Sequence, residues 1–160
     1  MSDDLCPTVE VSRRIEVSAA EIFRVLADPK MHVAMDGSGM LRGAETKETI
    51  TGVGDVFIMN MYFDALGDYQ MDNHIVEFEF DKLIGWQPVA GAGHPERGAT
   101  VGHRWSFRLS PDGPEATIVT EVYDCCRAPR DFREQMNNGA MWSQSMVKTL
   151  ERLDGIVSRR

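Results

Sequence analysis

The stretch IEVSAAEIFRVLADP, residues Ile15 to Pro29, contains the most specific local signal in the chain. Ser18 is a preferred N-cap residue, and Glu21 three positions later completes a capping box. Val17 and Ile22 occupy the two hydrophobic staple positions around the same start. These signals predict that a helix begins here, directly after a first strand.

The residues on either side of this helix define its neighbours. β-branched residues loosely alternate with charged ones over Thr8–Val17, which predicts a strand. The helix is expected to run to about Ala27, because Asp28–Pro29 offers a new N-cap followed by proline at a first helical position. The second short helix would end near Met35. Asp36–Gly39 then turns the chain, since glycine tolerates positive φ and aspartate bonds its own backbone.

Several strand-like runs separated by turn residues follow, as in a meandering antiparallel sheet. In the long third run Tyr69 and Met71 share one parity, whereas Val76 and Phe78 take the other, which predicts a β-bulge near Asn73 and His74. The predicted strands are Met40–Ile50, VFIMNMYF, YQMDNHIVEFEF, Leu83–Val89, VGHRWSFRL and ATIVTEVYDCC.

The pattern changes to a helical period between Arg130 and Val157. Apolar residues recur there every three or four positions and predict a long amphipathic C-terminal helix. This helix is the only predicted element long enough to cover the concave face of the sheet. We therefore predict an α+β fold in one domain over residues 1–160: a curved antiparallel sheet of about seven strands wrapped around the last helix, with two short helices after the first strand. The apolar positions are Met136, Gly139, Trp142, Met146, Leu150, Leu153 and Val157.

Charge and cysteine content narrow the partners and the compartment. Asp and Glu outnumber Lys and Arg by 25 to 17, and a net charge of −8 repels nucleic acid. No apolar run is long enough to insert into a membrane, and the start of the chain lacks the features of a secretory signal. Three cysteines, two of them the neighbours Cys125 and Cys126, argue against a disulfide framework. A cytoplasmic, reducing location is expected.

Six segments together resemble the START-like or helix-grip (SRPBCC) superfamily, and within it the bacterial polyketide cyclase/dehydrase-like group. The resemblance implies a helix-grip fold with a deep cavity between the sheet and the long helix, holding an apolar or aromatic small molecule. Its members include cyclases, lipid carriers, hormone receptors and chaperone co-factors, so the fold does not by itself assign a function. The segments are IEVSAAEIFRVLADP, GDVFIMNM, NHIVEFEFDKLIGW, GHRWSF, VTEVYD and WSQSMVKTLERL.

Methionine and aromatic residues dominate the positions expected to face this cavity. Each could simply fill the core, but methionine is flexible and suits surfaces that adapt to varied apolar ligands. Asn73 joins them as a polar group that could orient a ligand. Met35 and Met40, on either side of the Asp36–Gly39 turn, are predicted to form the rim of the cavity. The predicted ligand-binding set is Phe57, Met59, Met61, Tyr69, Met71, Asn73, Trp86, Trp105, Trp142 and Met146.

His103 and Tyr123 are the candidate catalytic residues. A histidine beside a phenol or carboxylate could move a proton in an aldol-type cyclisation or dehydration, because its pKa lies near neutral pH. The alternative for His103 is a core histidine bonded to a backbone carbonyl. Glu121 shares the parity of Tyr123, whereas the parity of His74 leaves its orientation open.

Other chemistries are disfavoured. The histidines show no paired metal-ligand spacing, so neither a metal nor another cofactor is predicted. Glu77 and Glu79 fit the charged outer face of a strand. Ser38 lacks the strand-to-helix elbow of an activated serine, and the nearby glycines close a helix instead of opening one around a phosphate.

The leading functional hypothesis is a protein that binds a hydrophobic small molecule. Whether it is an enzyme stays open; if so, the resemblance implies a metal-independent cyclase or dehydratase. The alternatives are a non-catalytic carrier or sensor of a lipid or metabolite, and a chaperone-activator-like interaction module. A monomer or homodimer is expected.

Overall fold

A computed structural model describes residues 6–159 of the chain. Its seven strands form one antiparallel sheet in the order β1-β7-β6-β5-β4-β3-β2, and the long helix near the C-terminus packs against it. The α+β prediction of seven strands, two short helices after the first strand and a C-terminal helix is confirmed. The elements are β1 (Val9–Ile15), α1 (Ala19–Leu26), α2 (Pro29–Met35), β2 (Leu41–Ala44), β3 (Val56–Phe63), β4 (Gly67–Glu79), β5 (Leu83–Ala90), β6 (Arg104–Pro111), β7 (Thr117–Asp124), α3 (Arg130–Gln135), a 3-10 helix (Asn137–Trp142) and α4 (Ser143–Ser158).

Both short helices begin where the capping residues predict. The Ser18 side chain accepts a hydrogen bond from the backbone N–H of Glu21 at 3.4 Å. Asp28 accepts from the backbone N–H of Lys30 at 3.1 Å, and Pro29 is the first residue of α2. These two caps keep α1 and α2 as separate helices.

The predicted strand Met40–Ile50 is wrong beyond Ala44, where β2 ends. The Ile50 N–H donates to the carbonyl of Ala27 at 2.8 Å, so the chain leaves the sheet and packs on the end of α1. A segment bonded to a helix end in this way cannot continue the strand ladder.

The bulge in β4 lies between Ile75 and Glu77, two to three residues beyond the predicted position. Ile75 is buried and Phe78 packs against the same core, so the extra residue must fall between them. Asn73 therefore keeps the parity of Tyr69 and is buried, whereas His74 points outward and is exposed.

The C-terminal helix is shorter than predicted, because its first part is broken. Asn137, Asn138 and Gly139 have φ values of 50°, 53° and 90°, conformations that only glycine and asparagine adopt readily. A β-carbon on Gly139 would overlap the ring of Tyr123, so this position needs glycine for close packing as well. The continuous helix begins at Ser143.

α4 has two different roles along its length. Leu150, Leu153 and Val157 in its second half are buried in the main core with residues of the sheet and α1. Met146 and Thr149 in its first half border a cavity instead. The second half of α4 thus packs tightly on the sheet, whereas a cavity separates its first half from the sheet.

The prediction against a disulfide is wrong, because Cys6 and Cys126 are bonded, with their Cα atoms 5.5 Å apart. β1 and β7 pair with Val9 opposite Tyr123, and the same register continued for three residues past this pair places Cys6 opposite Cys126. The two bonded cysteines are 120 residues apart in sequence, so only the strand register brings them together. Cys125 is buried and free. Within residues 6–159, no helix is long and apolar enough to cross a membrane.

Candidate functional site

A cavity of about 540 Å³ lies between the inner face of the sheet, α2 with the loop after it, and the first half of α4. This volume is within the usual range for small-molecule sites. All ten residues predicted to bind a ligand line the cavity, as do Met35 and Met40: Phe57, Met59, Met61, Tyr69, Met71, Asn73, Trp86, Trp105, Trp142 and Met146. Their position matches the prediction, while their binding role stays a prediction.

Two aromatic clusters form much of the wall. In the first, Trp86 lies with its ring centroid 5.4 Å from that of Phe57 and 5.3 Å from that of His32. In the second, Trp105 lies 5.6 Å from Trp142, ring centroid to ring centroid. The Trp86–Phe57 and Trp105–Trp142 pairs pack edge to face, an arrangement that aromatic rings prefer, whereas His32 is tilted against Trp86. All three tryptophans of the chain therefore border the cavity.

His103 and Tyr123 form a hydrogen-bonded pair, with the His103 Nδ1 atom 2.7 Å from the Tyr123 hydroxyl oxygen. Burial lowers the pKa of His103 to about 4, so its imidazole is neutral at pH 7. Burial also raises the pKa of the Tyr123 phenol. His103 borders the cavity, whereas the fully buried Tyr123 lies behind it and supports the imidazole. Their catalytic role stays a prediction.

Glu121 places a carboxyl group in the wall of the cavity. It lies on β7 opposite Phe107 of β6, and the residue is 6% exposed. Its Oε1 atom is buried without a hydrogen-bond partner among residues 6–159. Burial, and secondarily the charge of Asp36, raises the pKa of Glu121 to about 8, so the carboxyl is mostly protonated at pH 7.

Sequence reasoning missed several cavity residues. His32 is buried in α2, where its Nε2–H donates to the Leu26 carbonyl at 2.8 Å and burial lowers the pKa of the imidazole. Its spacing of three from Pro29 and Met35, both buried, is the signal that could have found it. His94 and Glu96 lie in the loop after β5, which has no periodic pattern from which to predict an orientation.

The Asp36–Gly39 loop borders the cavity and is fixed to α4. The Asp36 carboxylate accepts backbone N–H bonds from Ser38 and Gly39, both at 2.9 Å. The Gly37 N–H donates to Thr149 Oγ1 at 2.9 Å, and a β-carbon on Gly37 would come within 2.8 Å of the Lys148 β-carbon. Gly37 is therefore needed for close packing of this loop against α4.

Among residues 6–159, no group of three or more His, Cys, Asp or Glu side chains is arranged to hold a metal ion. The histidines that border the cavity lie on α2, in the loop after β5 and directly before β6. His32 and His103 each bond a group within the protein, a backbone carbonyl and a phenol respectively.

Comparison with known proteins supports the fold. A solution structure from Arthrobacter aurescens matches with a TM-score of 0.72 at 14% identity, covering 97% of this chain and 88% of that one. The chain has a helix-grip-like fold. A point mutant of norcoclaurine synthase from Thalictrum flavum, in complex with a transition-state analogue, matches this fold with a TM-score of 0.61 at 15% identity, covering 96% and 94%.

No family model matches the chain. The uncharacterized protein Rv0088 of Mycobacterium tuberculosis is 34% identical over 116 residues, which are 71% of this chain and 46% of that protein. The chain thus spans about half the length of this curated relative. These likenesses identify the helix-grip-like fold and leave the ligand and the chemistry to be argued from the cavity.

Proposed function

We propose that the protein binds an apolar or aromatic small molecule in the cavity between the sheet and α4. The observation that carries this proposal is the cavity itself, of about 540 Å³, with a wall made mainly of methionine and aromatic side chains. Packed protein interiors contain few voids larger than a water molecule. A large apolar space inside a small protein is therefore best explained by a ligand that fills it.

The composition of the wall supports a ligand of the same polarity. Flexible methionine side chains adapt to the shape of an apolar molecule, and aromatic rings offer large contact areas at fixed positions. A few polar groups then orient the ligand, as is usual in small-molecule sites. The polar candidates on this wall are Asn73, His103 and Glu121.

A cavity-filling variant tests the proposal directly. Ser145 borders the cavity on α4, whereas the neighbouring Gln144 is exposed, so Ser145→Phe fills the cavity and Gln144→Phe is the matched control. Binding of the neutral probe N-phenyl-1-naphthylamine is measured by its quenching of tryptophan fluorescence. The wild-type protein and the control should bind the probe with equal affinity, and Ser145→Phe should bind it about tenfold less tightly. Equal binding by all three proteins would contradict the proposal.

The natural ligand needs a second experiment. Native mass spectrometry of protein purified from its own host should show a co-purifying apolar molecule that is absent from Ser145→Phe. Recovery of the same molecule unchanged after long incubation favours a carrier or sensor, and its conversion favours an enzyme.

A metal-independent cyclase or dehydratase of the polyketide cyclase-like group is the second candidate. It is supported by the presence of an imidazole and a carboxyl group on one cavity wall, where burial favours the neutral form of His103 and the protonated form of Glu121. With its pKa near 8, Glu121 is matched to donating a proton at neutral pH, whereas an imidazole of pKa about 4 is a weak base. His103 directly precedes β6 and is four positions, roughly 13 Å along an extended chain, from Phe107, the partner of Glu121. A substrate would lie between the two groups.

Turnover of a synthetic linear polyketone thioester, followed by liquid chromatography and mass spectrometry, tests the second candidate. Cyclised product should form with the wild-type protein and fall at least about 100-fold with Glu121→Gln. His103→Ala should lose turnover and keep the binding of the naphthylamine probe. Equal product formation with and without the protein would exclude this activity for that substrate class.

Domain organisation, location and assembly remain predictions. We propose that residues 1–160 form one domain and that the protein is a monomer or homodimer. The predicted cytoplasmic location conflicts with the Cys6–Cys126 bond, since stable disulfides are rare in reducing compartments. The chaperone-activator alternative predicts a stable complex with a partner protein that survives gel filtration.

A further inference from the structure

The charges on the cavity wall have one sign. Asp36, Glu96 and Glu121 contribute carboxyl groups, while no lining residue in the described part of the chain is Lys or Arg. Arg152 lies near the Asp36 loop, but its guanidinium donates to the Asp36 backbone carbonyl and is not part of the wall. The cavity is therefore unfavourable for a ligand that carries a carboxylate or phosphate.

Glu121 is the member of this group whose carboxyl is buried and has an oxygen without a hydrogen-bond partner among the described residues. The Asp36 carboxylate is engaged by backbone N–H groups of its own loop. By contrast, Glu121 Oε1 is buried and accepts no hydrogen bond from any described residue. A buried polar atom left unpaired costs free energy, and such atoms are uncommon in folded proteins. A ligand that donates a hydrogen bond to Glu121 would remove this cost.

We propose that the cavity selects apolar or aromatic amines, with the ligand ammonium group hydrogen-bonded to the Glu121 carboxylate. This inference rests on the proposed function and names its ligand class. An ammonium group supplies the missing donor, and it is attracted by the carboxylates of Asp36 and Glu96 and by that of Glu121 once Glu121 has lost its proton. A carboxylate ligand of the same shape meets repulsion, and an alcohol gains the hydrogen bond without the charge interaction.

Binding of an ammonium group would also move a proton. In the empty cavity the raised pKa of about 8 keeps Glu121 mostly protonated at pH 7. The ammonium favours the carboxylate, so Glu121 releases its proton to solvent while the amine keeps its own. His32 and His103 face the same cavity as neutral groups with pKa values lowered by burial, and a nearby cation keeps them neutral. Nearly one proton is thus released for each amine bound.

Three probes that differ only in their polar end test the inference: 4-phenylbutylamine, 4-phenylbutan-1-ol and 4-phenylbutanoate. Isothermal titration calorimetry at pH 7, in two buffers with different ionisation enthalpies, measures both affinity and proton release. The wild-type protein should bind the amine about tenfold more tightly than the carboxylate, with release of nearly one proton. Glu121→Gln should lose the proton release and most of the preference, while the alcohol still binds. The matched control Glu79→Gln, at an exposed carboxyl outside the cavity, should behave as the wild type.

The outcomes separate this inference from the proposed function. If the alcohol binds and the amine shows no advantage over the carboxylate, the amine selectivity is wrong and the ligand cavity stands. If the amine binds more tightly but without proton release, Glu121 is not its partner and the ligand cavity again stands. If none of the three probes binds, both the inference and the proposed binding function fail. Should Glu121→Gln not fold, the probe order and the proton release of the wild-type protein decide the question alone.

Discussion

Glu121 should make the protein less stable as the pH rises through the neutral range. The carboxyl has a pKa of about 8 in the folded chain against an ordinary value of 4.5, because burial disfavours its charged form. Above pH 4.5 the unfolded chain loses this proton while the folded chain keeps it. Folding therefore binds a proton, and the free energy of unfolding falls with pH until about pH 8, above which the loss is constant.

The size of the effect follows from the same shift. A tenfold change in proton affinity corresponds to about 1.4 kcal/mol, so the interval from pH 5 to pH 9 removes at most about 4 kcal/mol of stability. Glu121→Gln keeps the shape of the side chain and has no such proton to lose. Its stability relative to the wild type should thus increase by up to that amount between pH 5 and pH 9.

Urea denaturation followed by tryptophan fluorescence, at several pH values between 5 and 9, measures this difference. Other titrating groups contribute equally to both proteins and cancel in the comparison. Glu79→Gln, at an exposed carboxyl, is the control and should follow the wild type. Parallel pH profiles for the wild type and Glu121→Gln would refute the assignment of a buried, protonated carboxyl.

Three further predictions concern packing, the disulfide and the neutral imidazole. Gly139→Ala should lower the free energy of unfolding by more than about 2 kcal/mol, because its β-carbon would overlap the Tyr123 ring at a φ of 90°. The control Gly155→Ala, in open space on α4, should raise the free energy of unfolding by about 1 kcal/mol. Equal effects of the two substitutions would contradict the close packing of Gly139 on Tyr123. Cys6→Ser should lower the free energy of unfolding by about 2 to 5 kcal/mol, since the disulfide joins residues 120 positions apart. A thiol assay of the unreduced, denatured wild-type protein should find one free thiol, not three. The His103 imidazole should titrate near pH 4 in NMR spectra, and a midpoint near 6.5 would exclude a buried imidazole. Below pH 6.5 the unfolded chain takes up this proton while the folded chain does not, so the free energy of unfolding should fall by about 3 kcal/mol between pH 6.5 and pH 4.

Local capping and strand parity predicted most of the architecture. The cap residues Ser18 and Asp28 determine helix starts through bonds to their own neighbours, so a single sequence is enough to place them. Side-chain alternation assigned β3 and β6 to the cavity, because every second residue of a regular strand faces the same side. The same alternation brought His103 and Tyr123 to one face, where they are hydrogen-bonded.

The errors arise where tertiary packing overrides the local pattern. The helical spacing from Arg130 to Val157 predicted one continuous helix, but the helix is broken at Gly139, which packs against Tyr123 on a distant strand. The Cys6–Cys126 bond depends on the register of the first and last strands, which neighbouring residues do not reveal. The unpaired state of Glu121 likewise depends on what surrounds it, and parity gives only the face on which it lies.

The central claim, that a small molecule occupies the cavity, can be tested on the methionine methyl groups. Methionines line the cavity at Met35, Met40, Met59, Met61, Met71 and Met146, whereas Met31, Met136 and Met141 lie outside its wall. With ¹³C-methyl methionine labelling, titration with the neutral probe 4-phenylbutan-1-ol should shift the NMR signals of the lining set and leave the other three in place. Shifts confined to Met31, Met136 and Met141, or no shifts at all, would contradict a ligand-binding cavity.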